Sequence, residues 1–208
     1  MESLCSYDRG KKDFIGRTYE ADLNAAHDFH DKLFGTLRKK KKKFPRFVFL
    51  EGNHEERIKR ALQVQPELTG TIGMKDLKLE DYYDDIVEYN GGTPGVISID
   101  GISYAHYFVA GINGKPSSSI NPAYTALSKS HKSVVQGHSH LLDYSTKPTI
   151  DGTRINSLVG GCFMDTELKW AGEANKLWWR GLAYLSNVNN GEFDLGLLSI
   201  ERLKKIYS

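Results

Sequence analysis

The apolar residues of this chain come in short runs, and what separates the runs changes character along the sequence. Arg46-Phe47-Val48-Phe49-Leu50 reads as a short buried strand. Ahead of it, Leu23, Ala26, Phe29 and Leu33 recur at helical spacing, predicting a helix over Glu20 to Phe34. Behind it, a second helix is predicted from about Glu55 to Gln65, stopped by Pro66. Gly70 to Gly95 reads as irregular, acidic and tyrosine-rich, with one short helical turn. Further on, tight turns take over. Val96 to Ile99, then Asp100-Gly101, then Ile102 to His106 is a hairpin pattern. A helix over Ala123 to His131, with Pro122 in its first turn, and strands over Ser133 to Gln136 and Arg154 to Leu158 follow. Asn189-Asn190-Gly191 turns a strand at Leu182 to Ser186 back into Leu195 to Ile200. Strands alternating with helices early and pairing as hairpins late predict an α/β fold: a layered mixed β-sheet sandwich flanked by helices, one domain over residues 1–208.

Composition narrows the class. A hydrophobic fraction of 39% in 208 residues suits a chain with a packed core rather than a disordered one. No apolar stretch approaches the roughly 18 residues of a membrane-spanning helix, and Met1-Glu2-Ser3-Leu4-Cys5 lacks the pattern of a secretory signal. Cys5 and Cys162 allow one disulfide but make no framework, so a reducing cytoplasm is the simpler expectation. A net charge of +2 gives no global argument for nucleic acid.

Two segments concentrate chemistry. Leu50-Glu51-Gly52-Asn53-His54-Glu55 lies at the end of a predicted strand and the start of a helix, and Val134-Val135-Gln136-Gly137-His138-Ser139-His140 lies just past another strand. Sites in open α/β sheets form at the C-terminal ends of strands. A glycine ahead of each polar group is expected to let the backbone turn sharply. Imidazole and amide oxygen suit manganese, iron or zinc. His138 and His140, with one residue between them, can serve two metals, or one if the loop bends.

Gly52-Asn53-His54-Glu55 resembles the GNHE motif of the calcineurin-like metallophosphoesterases, and Gly137-His138-Ser139-His140 resembles their GHxH motif. Tyr104-Ala105-His106, after the hairpin, matches the family's isolated histidine ligand. The resemblance is closest to phage-encoded members, in which a stretch like Ser3 to Lys11 precedes the long helix. It implies a hydrolase of phosphate mono- or diesters with two divalent metal ions, Mn²⁺ first, with Fe or Zn as alternatives. It further implies Asn53, His106 and His138 as ligands of the second metal and His140 as a ligand of the first. His54 would stand beside the scissile phosphate, donating a proton to the leaving group or stabilising its charge. These residues are expected to converge on one cleft. The implied location is the cytoplasm, the host's for a phage-encoded chain.

The family's Asp-x-His and Gly-Asp-x-x-Asp motifs do not occur, so the first site keeps His140 alone and the bridging carboxylate is missing. Three explanations compete: a fragment or internal start of a longer gene, a truncated form completed by a partner chain, and a degenerate homologue without catalysis. The first is favoured, because the later motifs show no decay. The 208 residues alone are expected to show little or no phosphoesterase activity. The alternative function is a non-catalytic binding module, with the Lys39 to Lys43 run as a nucleic-acid contact. The plainer reading of that run is a solvated turn complementing a helix C-terminus.

Other residues carry paired readings. His27, His30 and His131 are structural. Glu55 and Glu56 favour a helix N-terminus. Arg57 and Arg60 hold a substrate phosphate or, more simply, lie on a solvated helix face. Trp170, Trp178 and Trp179 stack on a base or pack in the core or at a rim. Asp143 and Asp165 are polar residues with no ligand role, and Cys162 is a tight packing point beside Gly160-Gly161.

Overall fold

The computed structural model describes residues 1–40, 43–117 and 119–207. It is a mixed α/β protein whose contacts gather into two compact units, Met1–Pro94 and Gly95–Ser208.

The first unit is built on helix α1 (Tyr19–Lys40). Its start is capped by the Thr18 hydroxyl, which accepts the Ala21 N–H at 3.1 Å. Glu20 and Asp22 sit in its first turn and Arg38, Lys39 and Lys40 in its last, each complementing the macrodipole. The helix outruns the predicted Phe34 end because the residues after Gly35 include the good helix formers Leu37, Arg38 and Lys39. Lys41 and Lys42 of the lysine run lie outside the described residues. Strand β1 (Val48–Leu50) is followed by helix α2 (Glu56–Val64). The stretch predicted as irregular holds strand β2 (Asp85–Val87), parallel to β1, and a small hairpin of β3 (Tyr89–Asn90) and β4 (Thr93–Pro94). With apolar side chains only at Ile86 and Val87, β2 is too short to show a period. The core joins Ile58, Leu77 and Leu79 with Leu4, Leu23, Phe49 and Ile86. Phe34 packs edge-on to Phe47 and Tyr83 beside it.

The second unit opens with the predicted hairpin, β5 (Val96–Ile99) and β6 (Ile102–Ala105), turned by Asp100 and Gly101, both with positive φ. Helix α3 (Pro122–Ser130) crosses to β7 (Ser133–Gln136). Strands β8 (Leu142–Pro148) and β9 (Arg154–Gly160) complete a sheet of order β5-β6-β7-β9-β8. Its central strands β6, β7 and β9 are parallel, and β5 and β8 are antiparallel edges. Val134, Leu158 and Val159 are buried, as are Ala123, Ala126 and Leu127 of α3, which packs on β7, β8 and β9. Asp143 accepts the Ala123 N–H at 2.8 Å and so serves the N-terminus of α3. Strands β10 (Gly181–Asn189) and β11 (Glu192–Ser199) form a separate hairpin, followed by helix α4 (Ile200–Tyr207). Sequence reasoning missed β8, a half-exposed edge strand of largely polar residues, and α4, which starts where the last strand was expected to end.

The parallel strands matter most for function. Ala105, Gln136 and Gly160 end neighbouring strands on one edge of the sheet, so His106, the Gly137 to His140 loop and Gly161 all emerge there. Among the described residues no helix is long and apolar enough to cross a membrane. Cys5 and Cys162 are free thiols, and burial pushes the Cys162 thiol up.

Candidate functional site

In the second unit, the parallel pairing of β6 with β7 runs one step past the strands: Gly137 N–H donates to the His106 carbonyl at 3.1 Å. That bond sets the two histidine loops side by side. His106 Nε2 and His138 Nδ1 lie 3.0 Å apart, with the rings edge to face. Gln136, buried at the last position of β7, accepts the Phe108 N–H through Oε1 at 2.7 Å and pins the chain just beyond His106. The Tyr107 ring packs 4.9 Å from that of His138.

The turn itself differs from the expectation. Neither Gly52 nor Gly137 adopts a positive φ; His138 (φ 66°) and His140 (φ 62°) do. The histidines carry the left-handed backbone themselves. For residues with a Cβ that conformation costs energy and is held only where the surroundings enforce it. Part of the enforcement is visible: the His140 carbonyl accepts the Trp179 N–H at 3.0 Å, and the Leu141 carbonyl accepts the Gly161 N–H at 2.9 Å. The Trp178 ring stands edge-on to His140 at 4.4 Å, and the Arg180 guanidinium lies 5.9 Å from the Trp178 ring. Between the histidines, Ser139 Oγ is buried without a hydrogen-bond partner among the described residues.

Burial, then the neighbouring His140, pushes the His138 imidazole below its ordinary value; burial, then Arg180, does the same to His140. Both rings are thereby held neutral with a lone pair available, the form in which histidine binds metal. Two nitrogens 3.0 Å apart share a proton in an N–H···N bond, or both face one cation. Donors at about 2.1 Å from an ion are separated by about 3.0 Å when cis on an octahedron and about 3.4 Å on a tetrahedron. The separation alone matches two donors of one divalent ion, while the two nitrogens are aimed at each other as in a hydrogen bond. Among the described residues no group of three or more His, Cys, Asp or Glu side chains is placed to hold a metal.

In the first unit, Asn53 and His54 lie in the turn between β1 and α2. Glu55 closes that turn, its Oε2 accepting the Gly52 N–H at 2.8 Å. Glu51 is buried and accepts from Lys59 Nζ at 2.7 Å and from the Tyr89 N–H at 2.8 Å, anchoring the turn from below. His54 Nε2 is 3.4 Å from Arg57 Nη2, and Nδ1 is 3.4 Å from Glu2 Oε1. A guanidinium only donates and a carboxylate only accepts, so these contacts place the proton on Nδ1. Burial first, and Arg57 next, push the His54 imidazole down to about 4, although 44% of the side chain stays open to water, which moderates the shift. The ring is a neutral N–H donor.

Arg57 corrects its plainer reading: its side chain is only 16% exposed and is bound to Met1 O at 2.9 Å and Glu2 at 3.0 Å. Arg60 instead pairs with Glu56 along α2 at 3.0 Å. His27 and His30 are structural, as predicted: His27 Nε2 contacts the Asp76 carbonyl at 2.8 Å, and His30 is buried among Phe34, Tyr82 and Tyr83. His131 ends α3 in a left-handed conformation, and Asp165 pairs with Lys204 at 2.6 Å. Sequence reasoning missed the role of Gln136, for which a glutamine directly after Val134-Val135 was the available signal; Arg57 is a phosphate holder in one of its two readings, but its contact with Glu2 was not foreseen. Compared with known proteins, the chain matches no family model, no curated protein and no solved structure.

Proposed function

We propose that the chain is a metal-dependent hydrolase of phosphate mono- or diesters, with a sheet-and-helix architecture of the calcineurin-like metallophosphoesterase kind. The observation that carries this is the His106–His138 pair, whose Nε2 and Nδ1 lie 3.0 Å apart at the ends of adjacent parallel strands. Motif order supports it: Gly52-Asn53-His54-Glu55, then His106, then Gly137-His138-Ser139-His140.

A bound divalent ion, Mn²⁺ first and Fe or Zn otherwise, supplies positive charge to the phosphoryl oxygens and acidifies a bound water. His106 and His138 would hold it, and Gln136 keeps the His106 loop in register. The motif resemblance assigns Asn53, like His106 and His138, to the second of two metals and His140 to the first. His54 offers Nδ1–H as a hydrogen-bond donor to charge developing on the phosphate ester.

The second reading, a non-catalytic binding module contacting nucleic acid, is favoured by one observation: the basic last turn of α1, which carries Arg38, Lys39 and Lys40. One experiment separates the two. Bound Mn²⁺ is measured alongside turnover of an aryl phosphate ester for a version of the chain supplied with the missing Asp-x-His and Gly-Asp-x-x-Asp motifs, and for its His138→Ala and His54→Ala variants. Hydrolysis predicts that His138→Ala loses metal and activity together, while His54→Ala keeps metal and loses activity. A motif-restored protein that binds Mn²⁺ without turnover supports the binding module.

A further inference from the structure

We propose that Arg57 and His54 form a seat for a phosphoryl group, and that the Glu2 carboxylate occupies this seat as a displaceable plug. Glu2 Oε1 lies 3.0 Å from Arg57 Nη1 and 3.4 Å from His54 Nδ1, and Glu2 Oε2 lies 3.6 Å from Arg17 Nη1. One internal anion thus has three nitrogen groups within 3.6 Å, of which Arg57 Nη1 donates it a hydrogen bond. Arg17 is the outermost and is committed elsewhere, since Asp8 Oδ2 holds it at 2.7 Å. Arg57 is the inner wall of the seat.

The groups differ in how firmly they are held. Arg57 is mostly buried, and its second nitrogen leans on His54 Nε2, so its fork is oriented before any ligand arrives. Glu2 is 43% exposed, where ionic contacts are screened and individually weak. The chain behind it is anchored independently. Ser3 donates through both its N–H and its hydroxyl to Asp22 Oδ2, at 2.9 Å and 2.6 Å, and Leu4 packs into the core. Glu2 can therefore swing out without loosening the unit. A phosphoryl group offers three oxygens and close to two charges where the carboxylate offers two oxygens and one charge, so it makes better use of the same donors.

The inference rests on the proposed function only in identifying the ligand as the substrate's phosphoryl group. It makes Arg57 a substrate-binding residue and Glu2 a competitor for it.

The test uses inorganic phosphate as the probe and the full chain kept metal-free with a chelator, so that metal binding at His106 and His138 plays no part. Isothermal titration compares wild type, Glu2→Ala, and Glu2→Ala combined with Arg57→Lys. Lysine keeps the charge and loses the fork, which limits damage to the fold, and unchanged circular dichroism confirms it. Removing a partly exposed competing carboxylate is expected to tighten phosphate binding by roughly five- to tenfold. The added Arg57→Lys change is expected to remove most of that gain. Glu2→Ala binding no tighter than wild type, or a double variant binding as tightly as Glu2→Ala, overturns the proposal. Either result leaves Mn²⁺ binding by the histidine pair untouched, so failure of the seat is distinguishable from failure of the hydrolase reading.

Discussion

Gly161→Ala is expected to be far more damaging than Gly152→Ala, though both glycines have positive φ (71° and 87°) and both follow or interrupt the β8–β9 region. A Cβ on Gly152 meets nothing within 4 Å, so alanine there bears only the left-handed backbone, about 1–2 kcal/mol. A Cβ on Gly161 would lie 2.5 Å from Trp179 Cε3 and 2.5 Å from the Trp179 carbonyl oxygen. That carbonyl cannot retreat freely, because it accepts the Cys162 N–H at 2.9 Å, while the Trp179 N–H is bound to His140. Forced repacking of this kind adds about 1–3 kcal/mol, for a total of about 2–5 kcal/mol. At about 4 °C per kcal/mol for a unit of this size, calorimetry should show the Gly152 variant melting roughly 4–8 °C below wild type, and the Gly161 variant roughly 8–20 °C below. The Gly161 variant should also bind Mn²⁺ more weakly, since displacing Trp179 releases the His140 carbonyl. Equal melting temperatures for the two variants would refute the claim that Trp179 buttresses the histidine loop.

Two further outcomes are expected. Gln136→Ala should leave the Phe108 N–H without its partner and reduce Mn²⁺ affinity by about tenfold, as loss of a residue that orients a metal ligand does; unchanged affinity by titration would dismiss the positioning role. His30 is buried with Nδ1 lacking a partner among the described residues, and burial, then His27, push its pKa below the ordinary 6.5. The unfolded chain therefore takes up the proton first, so stability is full above about pH 6.5 and declines as pH falls towards the folded value. His30→Phe should flatten the acid limb of a melting-temperature profile, and a limb unchanged in that variant would count against the assignment.

How much of this could be read in advance varied with length and burial. The β5–β6 hairpin, α3 and β7 were legible because a turn dipeptide, a first-turn proline and a β-branched Val134-Val135 pair ahead of a glycine each favour one local answer. Strand β2 was not, because three residues beginning with Asp85 carry no period, and its pairing with β1 is decided by partners distant in sequence. At the site, the residue types and the strand-end placement of His106 and His138 were legible, but the mechanics were not. The turn was credited to Gly137, yet the left-handed conformations belong to His138 and His140. Which residue bears backbone strain depends on the surrounding hydrogen bonds, and those involve Trp179 and Gly161, remote in the chain. For Arg57 the sequence leaves a phosphate holder and a solvated helix face side by side, because nothing local announces that Glu2 folds onto it.

The tryptophans give this protein a built-in optical channel. All three, Trp170, Trp178 and Trp179, belong to the second unit and crowd the His140 loop: Trp178 lies edge-on to the histidine, Trp170 against Trp178 at 5.8 Å, and Trp179 on the loop's backbone. The first unit contains no indole. Emission excited selectively from tryptophan therefore speaks for one half of the chain and is deaf to the other. Imidazolium and open-shell metal ions both quench indole, so acidification or Mn²⁺ arriving near His140 should dim the signal without any label. Melting followed by tryptophan emission, beside melting followed by whole-chain dichroism, would then reveal whether the two halves come apart together or in turn.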